Sequence, residues 1–449
     1  MKWTRSEFLE AFPSHRGDAT VIPAIDEVFI DSRKSVKNGL FVPIVGERFD
    51  GHDFLLEAAG RGATAALWQI DRPLPDELPA DFPVFFVEDT TSGLQQLAKH
   101  HLNTVAPVVV AITGSNGKTT TKDMVAGVLG GRFQTHKTEG NFNNHIGLPL
   151  TVLAMPDDCD VLILEMGMNH FGEISALSRL AEPELAVITN IGESHIEFLG
   201  SREGIARAKM EITEGMKRGG KVIFDGDEPL LGRLRERPSV ACGYGGNNDL
   251  RITSVEMVRE GLHFSLHGHR RFYIPVSGKH NAKNAAFAVA VAKELGLPYS
   301  EIAERLADLS VTGMRFQQLQ GKNGSLLIND AYNASPTSMK AAIETVREMD
   351  GYRRKVLVLG DIYELGKDEK SFHEGVAADI VPPITDVVTV GERARWIGAK
   401  VEPPVRAAFF ATKEEAASVI KELLAEDTVV LFKASRAVGL ETLVEQMKG

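Results

Sequence analysis

The chain is poor in cysteine, in long apolar runs and in basic clusters, and each scarcity excludes a class of protein. Among 449 residues there are two cysteines, Cys159 and Cys242, with no C-x-x-C spacing. That argues against a disulfide framework and against a thiolate metal site. The longest uninterrupted apolar stretch runs only from Ala285 to Ala292, well short of the ~18 to 20 residues of a membrane span. The start, Met1-Lys2-Trp3-Thr4-Arg5-Ser6-Glu7, has no apolar signal segment, so a cytoplasmic protein without a membrane span is expected. No basic tract offsets the formal net charge of −11, which disfavours nucleic acid as a partner. A polyanionic ligand such as a nucleotide would need a local device: a backbone nest, one or two cations, or metal ions. Solenoid-type repeats and low-complexity segments are absent as well.

The chain does have ordinary globular material, 43% hydrophobic and 25% charged residues, over a length that suggests about three domains. The first, residues 1–103, shows strand signals at Gly39 to Ile44 and Phe82 to Val87, around helical stretches at Leu55 to Ala66 and Ser92 to His101. It is expected to be a smaller α/β unit. The second, residues 104–313, alternates fully apolar runs with helix-length segments: Val108 to Ile112, Val161 to Leu164, Ala186 to Thr189 and Val222 to Phe224. That pattern predicts a doubly wound parallel sheet. Short alternating strands follow between about Asp249 and Pro275, where His263, His267 and His269 read as solvated, and then an Ala-rich helix from Asn281 to Leu295. The third domain, residues 314–449, repeats the alternation at Leu326 to Ile328, Val356 to Leu359, Val387 to Val390 and Val429 to Phe432, predicting a Rossmann-like α/β unit.

Directly after the first buried strand of the middle domain comes Thr113-Gly114-Ser115-Asn116-Gly117-Lys118-Thr119-Thr120-Thr121, followed by a helix with Met124, Val125, Val128 and Leu129 on one face. Strand, glycine loop and helix make a phosphate-binding P-loop: backbone N–H groups converge, the helix N-terminus is positive, Lys118 is a mobile cation and Thr119 can hold Mg²⁺. Only two residues separate Gly114 from Gly117, fewer than in the common form of this loop. Glu165 ends the strand Val161 to Leu164, and His195 follows the next strand. Both fall at the sheet edge where open α/β sheets keep their sites, and both are candidate metal ligands. On the residues alone a capped or salt-bridged glutamate is the lesser alternative for Glu165, and Lys209 reads as a surface lysine of a helix.

Together these residues resemble the Mur ligases of bacterial cell-wall synthesis, which join an amine to a carboxylate using ATP. The short T-G-S-N-G-K-T-T loop is typical of that family. The resemblance implies two Mg²⁺ ions at Thr119, Glu165, His195 and Lys209, with Lys209 carrying a CO₂-derived carbamate, and catalytic roles for Lys118, Lys209 and His195. It also implies that ATP contacts Gly114, Ser115, Asn116, Gly117, Lys118, Thr119, Thr120, Asn281, Asn284, Arg315 and Asp330. The segments Asp330 to Met339 and Asp361 to Gly366 have the form seen in the branch that adds D-alanyl-D-alanine to UDP-N-acetylmuramoyl-tripeptide. The D-N-P-R motif of the diaminopimelate-adding branch is absent. In that branch Tyr332, Asn333, Ser338, Asp361, Lys433 and Arg436 would face the dipeptide, although Ala434 stands where the family has glycine. Ser32 and Arg33, with Asp50, Gly51 and His52, would hold the UDP-sugar. A monomer is expected. Two rivals share the phosphate loop: a folylpolyglutamate-synthase-like ligase and an ATP-driven switch. The third residue of the tripeptide is not specified by these motifs.

Overall fold

The computed structural model describes residues 5–17, 25–268, 271–310 and 312–449, so the expectation for His269 lies outside the described residues. Three sheets organise them. In the first unit the strand Val84–Val87 pairs antiparallel with His15–Arg16 at one edge; on its other side follow, in parallel, Ala63–Gln69, Gly39–Phe41 and Glu27–Phe29. The helical stretch expected over Leu55 to Ala66 is only half helix. It forms a helix over Leu55–Gly60 and then a strand over Ala63–Gln69. Gly62 causes the change: its φ is +106°, a conformation that L side chains resist, and a Cβ there would come within 2.0 Å of the Val36 carbonyl oxygen.

The middle unit holds nine strands. From one edge they run Thr135–Lys137, Val161–Glu165, Val108–Thr113, Leu185–Ile188, Lys221–Asp225, Ser239–Gly243 and Leu250–Val258, all parallel, and then Gly261–Leu266 and Arg271–Ile274, antiparallel. The central strands are buried on both faces, which is why they read as unbroken apolar runs. The short antiparallel strands extend this same sheet. His263 there is half-buried against Tyr273 at 5.1 Å, and His267 is exposed. The Ala-rich helix spans Lys279–Glu294 and packs beside the helix Lys118–Leu129. Small side chains let two helices approach closely over one sheet face.

The third unit has six strands in the order Gln317–Gln320, Leu326–Asn329, Thr428–Lys433, Arg354–Gly360, Asp386–Val390 and Arg406–Phe410; only the first is antiparallel. The carboxyl ends of its inner strands face those of the middle sheet across a cleft. The helix Thr90–Val105, capped by Asp89, joins the first two units. Its Leu94, Leu97, Ala98 and Leu102 share one apolar core with Leu67 and Phe85 on one side and Leu148, Val152 and Met155 on the other. Residue 103 lies inside this helix.

Replacing Gly62 by alanine is expected to lower the stability of the first unit by more than about 1 kcal/mol, because strain and a clash add. Gly60→Ala, at a helical position with nothing within 4 Å of the new Cβ, is expected to be neutral or slightly stabilising. Urea titration followed by circular dichroism separates the two.

Candidate active site

The phosphate loop leaves the strand Val108–Thr113 and enters the helix Lys118–Leu129, whose N-cap, Gly117, offers no side-chain cap. The first N–H groups of the helix therefore stay free for an anion. Two glycines are obligatory. Gly114 has φ +152°, and a Cβ would fall 1.8 Å from Thr189 Oγ1; Gly117 has φ +81°, and a Cβ would fall 2.6 Å from Asn284 Oδ1. The end of the neighbouring strand braces the loop. Thr189 Oγ1 donates to the Asn116 carbonyl at 2.6 Å, Asn116 N–H donates to Asn190 Oδ1 at 2.9 Å, and Gly192 N–H donates to Ser115 Oγ at 2.9 Å. Asn281 and Asn284 are buried behind the loop and bonded to each other at 2.9 Å.

Glu165 ends the strand beside the loop and is 3% exposed. Its Oε2 accepts from Thr119 Oγ1 at 2.8 Å and its Oε1 from Asn143 Nδ2 at 3.0 Å. Lys118 Nζ folds back to the Gly114 carbonyl at 2.8 Å. Burial depresses its pKa, Glu165 opposes that shift and Arg315 adds to it. Lys209 is 2% exposed, which overturns its reading as a surface lysine. Burial first, and the Lys118 charge second, push its ammonium well below the ordinary lysine value. No hydrogen bond or ion pair reaches it from the described residues. His195 sits in the left-handed region, φ 64°, with Nδ1 2.6 Å from Glu364 Oε2 but without the alignment of a ring N–H hydrogen bond.

These donors suit a hard divalent cation: a buried carboxylate, a hydroxyl and an imidazole lining one cleft, whereas Lys209 is not part of that lining. No cluster of three or more His, Cys, Asp or Glu is present among the described residues. A cation held here would complete its shell largely with substrate oxygens and water, as Mg²⁺ does.

Ser115 to Thr120, Glu165, His195, Asn281 and Asn284 line one cleft of about 880 Å³, and across it stand Arg315, Asp330, Tyr332, Asn333, Ser338 and Lys433 of the third unit. Arg315 lies 4.1 Å over the Tyr332 ring, and its Nε is buried without a partner. It is carried between Met314 and Phe316, whose φ values of 60° and 55° are left-handed, a strain of roughly 1–2 kcal/mol each. Lys433 Nζ donates to Asp330 Oδ2 at 2.7 Å and to the Asn333 carbonyl at 3.1 Å. The two walls touch. Ser335 Oγ donates to Asn116 Oδ1 at 3.1 Å, and the Thr337 hydroxyl donates to Glu193 Oε2 at 2.6 Å.

Other expected residues are not brought to this lining. Asp361 accepts from the N–H groups of Arg393 and Ala394 at 2.9 and 2.7 Å, and Arg436 pairs with Glu441. Ser32, Arg33, Asp50, Gly51 and His52 all lie in the first unit. Ser32 donates to Glu57 at 2.9 Å; Arg33, 80% exposed, pairs with Asp31; Asp50 meets His52 Nδ1 at 2.6 Å. His52 packs edge-on against Trp68, and its Nε2 is buried without a partner. Sequence reasoning missed Asn143 and Asn190, the side chains that hold Glu165 and the loop. The asparagine-rich run Asn141-Phe142-Asn143-Asn144 was the available signal for the first.

Gly117→Ala is expected to weaken nucleotide binding more than about tenfold, since the loop must shift off Asn284 or strain at positive φ. Titration with a fluorescent ATP analogue, alongside a melting curve that shows the fold retained, measures it.

A family model for the Mur ligase middle domain matches residues 112–292, and one described as Mur ligase, glutamate ligase domain matches residues 314–436. The chain is 47% identical over 428 residues to UDP-N-acetylmuramoyl-tripeptide–D-alanyl-D-alanine ligase of Bacillus subtilis, covering 94% of this chain and 93% of that one. Among solved structures it superposes on MurF from Acinetobacter baumannii with a TM-score of 0.88 at 30% identity, covering 99% and 98% of the two chains. It also superposes on MurF from Thermotoga maritima in complex with ADP, with a TM-score of 0.83 at 30% identity, covering 94% and 96%. Matched by family models over its middle and third units and 47% identical along nearly its whole length to a curated member, the chain belongs to the Mur ligase family.

Proposed function

We infer that this chain is an ATP-dependent ligase that joins D-alanyl-D-alanine to the terminal carboxylate of UDP-N-acetylmuramoyl-tripeptide, yielding the pentapeptide precursor of peptidoglycan. The observation that carries this reading is the single cleft in which the phosphate loop and Glu165 face Arg315, Asp330, Tyr332, Asn333 and Lys433 of another unit. A nucleotide switch has no need of that opposed wall.

A carboxylate is a poor electrophile, so it has to be activated. The γ-phosphoryl group of ATP passes to a carboxylate oxygen, and ADP leaves. The dipeptide amine then attacks the acyl carbon; the new C–N bond forms, the C–O bond to phosphate breaks and the amine loses a proton. Lys118 and the loop N–H groups face the charge that develops during transfer. Mg²⁺, when bound at Thr119, Glu165 and His195, offsets that charge further. Lys209, whose charged form burial disfavours, would be the residue to take up CO₂ as a carbamate, the N–C bond forming as the amine gives up a proton. Asn281, Asn284 and Arg315 complete the nucleotide site.

We assign residues 1–103 to the UDP-sugar, 104–313 to ATP and 314–449 to the dipeptide. Arg33 and the unpartnered His52 Nε2 support the first assignment. Tyr332, Asn333, Ser338 and Lys433 support the last, with Asp361 and Arg436 acting from behind the wall. Holding three reactants in one enclosure can lower a barrier by roughly 7–11 kcal/mol. One chain carries the whole set, so a monomer suffices. No helix among the described residues is long and apolar enough to cross a membrane; the nucleotide-linked substrates support a cytoplasmic reaction.

The test is ADP release by the purified chain. It is expected to require UDP-N-acetylmuramoyl-tripeptide and D-alanyl-D-alanine together, and to fall at least about a hundredfold in Lys118→Ala. Release without carboxylate or amine would refute the assignment. A carbamate carbon resonance from ¹³C-bicarbonate is expected in the native chain and should vanish in Lys209→Ala.

A further inference from the structure

The helix that follows the phosphate loop carries a buried carboxylate that the chemistry above does not use. Asp123, 2% exposed, lies in the second turn of Lys118–Leu129. Its Oδ1 accepts from Lys137 Nζ at 2.7 Å and lies 3.6 Å from Lys122 Nζ. Its Oδ2 accepts from both the N–H and the hydroxyl of Thr312, at 2.9 and 2.6 Å. We propose that Asp123 is a positioning residue: through Thr312 it fixes the joint between the middle and third units, and so fixes Arg315 in the cleft. This rests on reading the cleft as the nucleotide site.

Charge balance does not explain the second oxygen. Two lysines already compensate Oδ1, whereas Oδ2 is given wholly to a residue 189 positions away in the chain. A buried carboxylate spends its acceptors where geometry must be held. The helix makes a second contact with the same joint, because a Cβ on Gly127 would fall 2.4 Å from Leu309 Cδ2.

Three residues beyond Thr312 the chain delivers Arg315. It does so between two left-handed residues that local preference does not favour, so something else must hold them. Met314 N–H donates to Gln317 Oε1 at 3.1 Å, Phe316 N–H donates to Asp330 Oδ1 at 3.1 Å, and the Phe316 ring is buried in the core of the third unit. Those anchors fix the joint to the third unit. Thr312 on Asp123 fixes its other end to the phosphate-loop helix. A guanidinium held between them is set against the same helix whose N-terminus faces the phosphates, so its reach to the nucleotide follows the position of that helix.

Thr312 is exposed apart from these bonds, so its hydroxyl bond can be removed without disturbing the buried lysines, while the N–H bond to Oδ2 remains. The experiment compares Thr312→Val, Thr312→Ser, Arg315→Ala and the double variant Thr312→Val/Arg315→Ala in the full chain, reading ATP KM, kcat and melting temperature. Thr312→Val is expected to raise ATP KM roughly tenfold with kcat little changed. Thr312→Ser, which keeps the donor, is expected to restore KM to within about twofold, and the double variant to be no worse than Arg315→Ala. Thr312→Val with native KM overturns the proposal, even if its melting temperature falls. So do equal defects in the serine and valine variants, or additive defects in the double variant. If Arg315→Ala itself keeps the native ATP KM, the nucleotide role of Arg315 fails and the positioning role falls with it.

Discussion

A negative charge buried at the end of a parallel strand must be compensated, and the whole site is arranged around that requirement. Glu165 is tolerated at 3% exposure because Thr119 and Asn143 each donate to one of its oxygens and Lys118 stands nearby. The same contacts fix the start of the phosphate-loop helix relative to the sheet. In a protein of net charge −11, the cations Lys118, Arg315, Lys433 and Lys283 gather on the walls of one cleft. Of these, Lys433 and Lys283 are paired with Asp330 and Asp225, whereas Lys118 and Arg315 offer an anion a local attraction that the net charge of the chain does not.

The parts of this arrangement that were legible in the sequence are those set by local pattern. Strands buried on both faces read as apolar runs, and all four expected in the middle unit and all four in the third are present. The loop was legible because its glycines, lysine and threonines are contiguous. What escaped depends on partners distant in sequence. Thr135–Lys137 is a strand only because it pairs with Val161–Glu165; its own residues carry no apolar run. The helix expected over Leu55 to Ala66 overruns into the strand Ala63–Gln69, where the turn at Gly62 overrides the helix preference of alanine.

Side-chain environment was legible least of all. The sequence around Lys209 is that of an ordinary solvated helix, yet tertiary packing closes over its ammonium. No motif marks Asp123, and its bond to Thr312 spans 189 residues. The first-unit residues carried over by resemblance bond within their own unit, Ser32 to Glu57 and Asp50 to His52, and none of them lines the cleft. Likeness of motif conveys which residues recur; it does not convey where in space they sit.

The helix Thr90–Val105 is the most consequential of the features that no motif marks. Because Leu94, Leu97 and Leu102 are shared between the first and second sheets, those two sheets are welded along a common greasy spine, and prying them apart would wet it. The third unit, by contrast, meets the middle one across the cleft through polar contacts such as Ser335 with Asn116 and Thr337 with Glu193. A severed N-terminal fragment would carry half of that spine bare into water and would tend to clump.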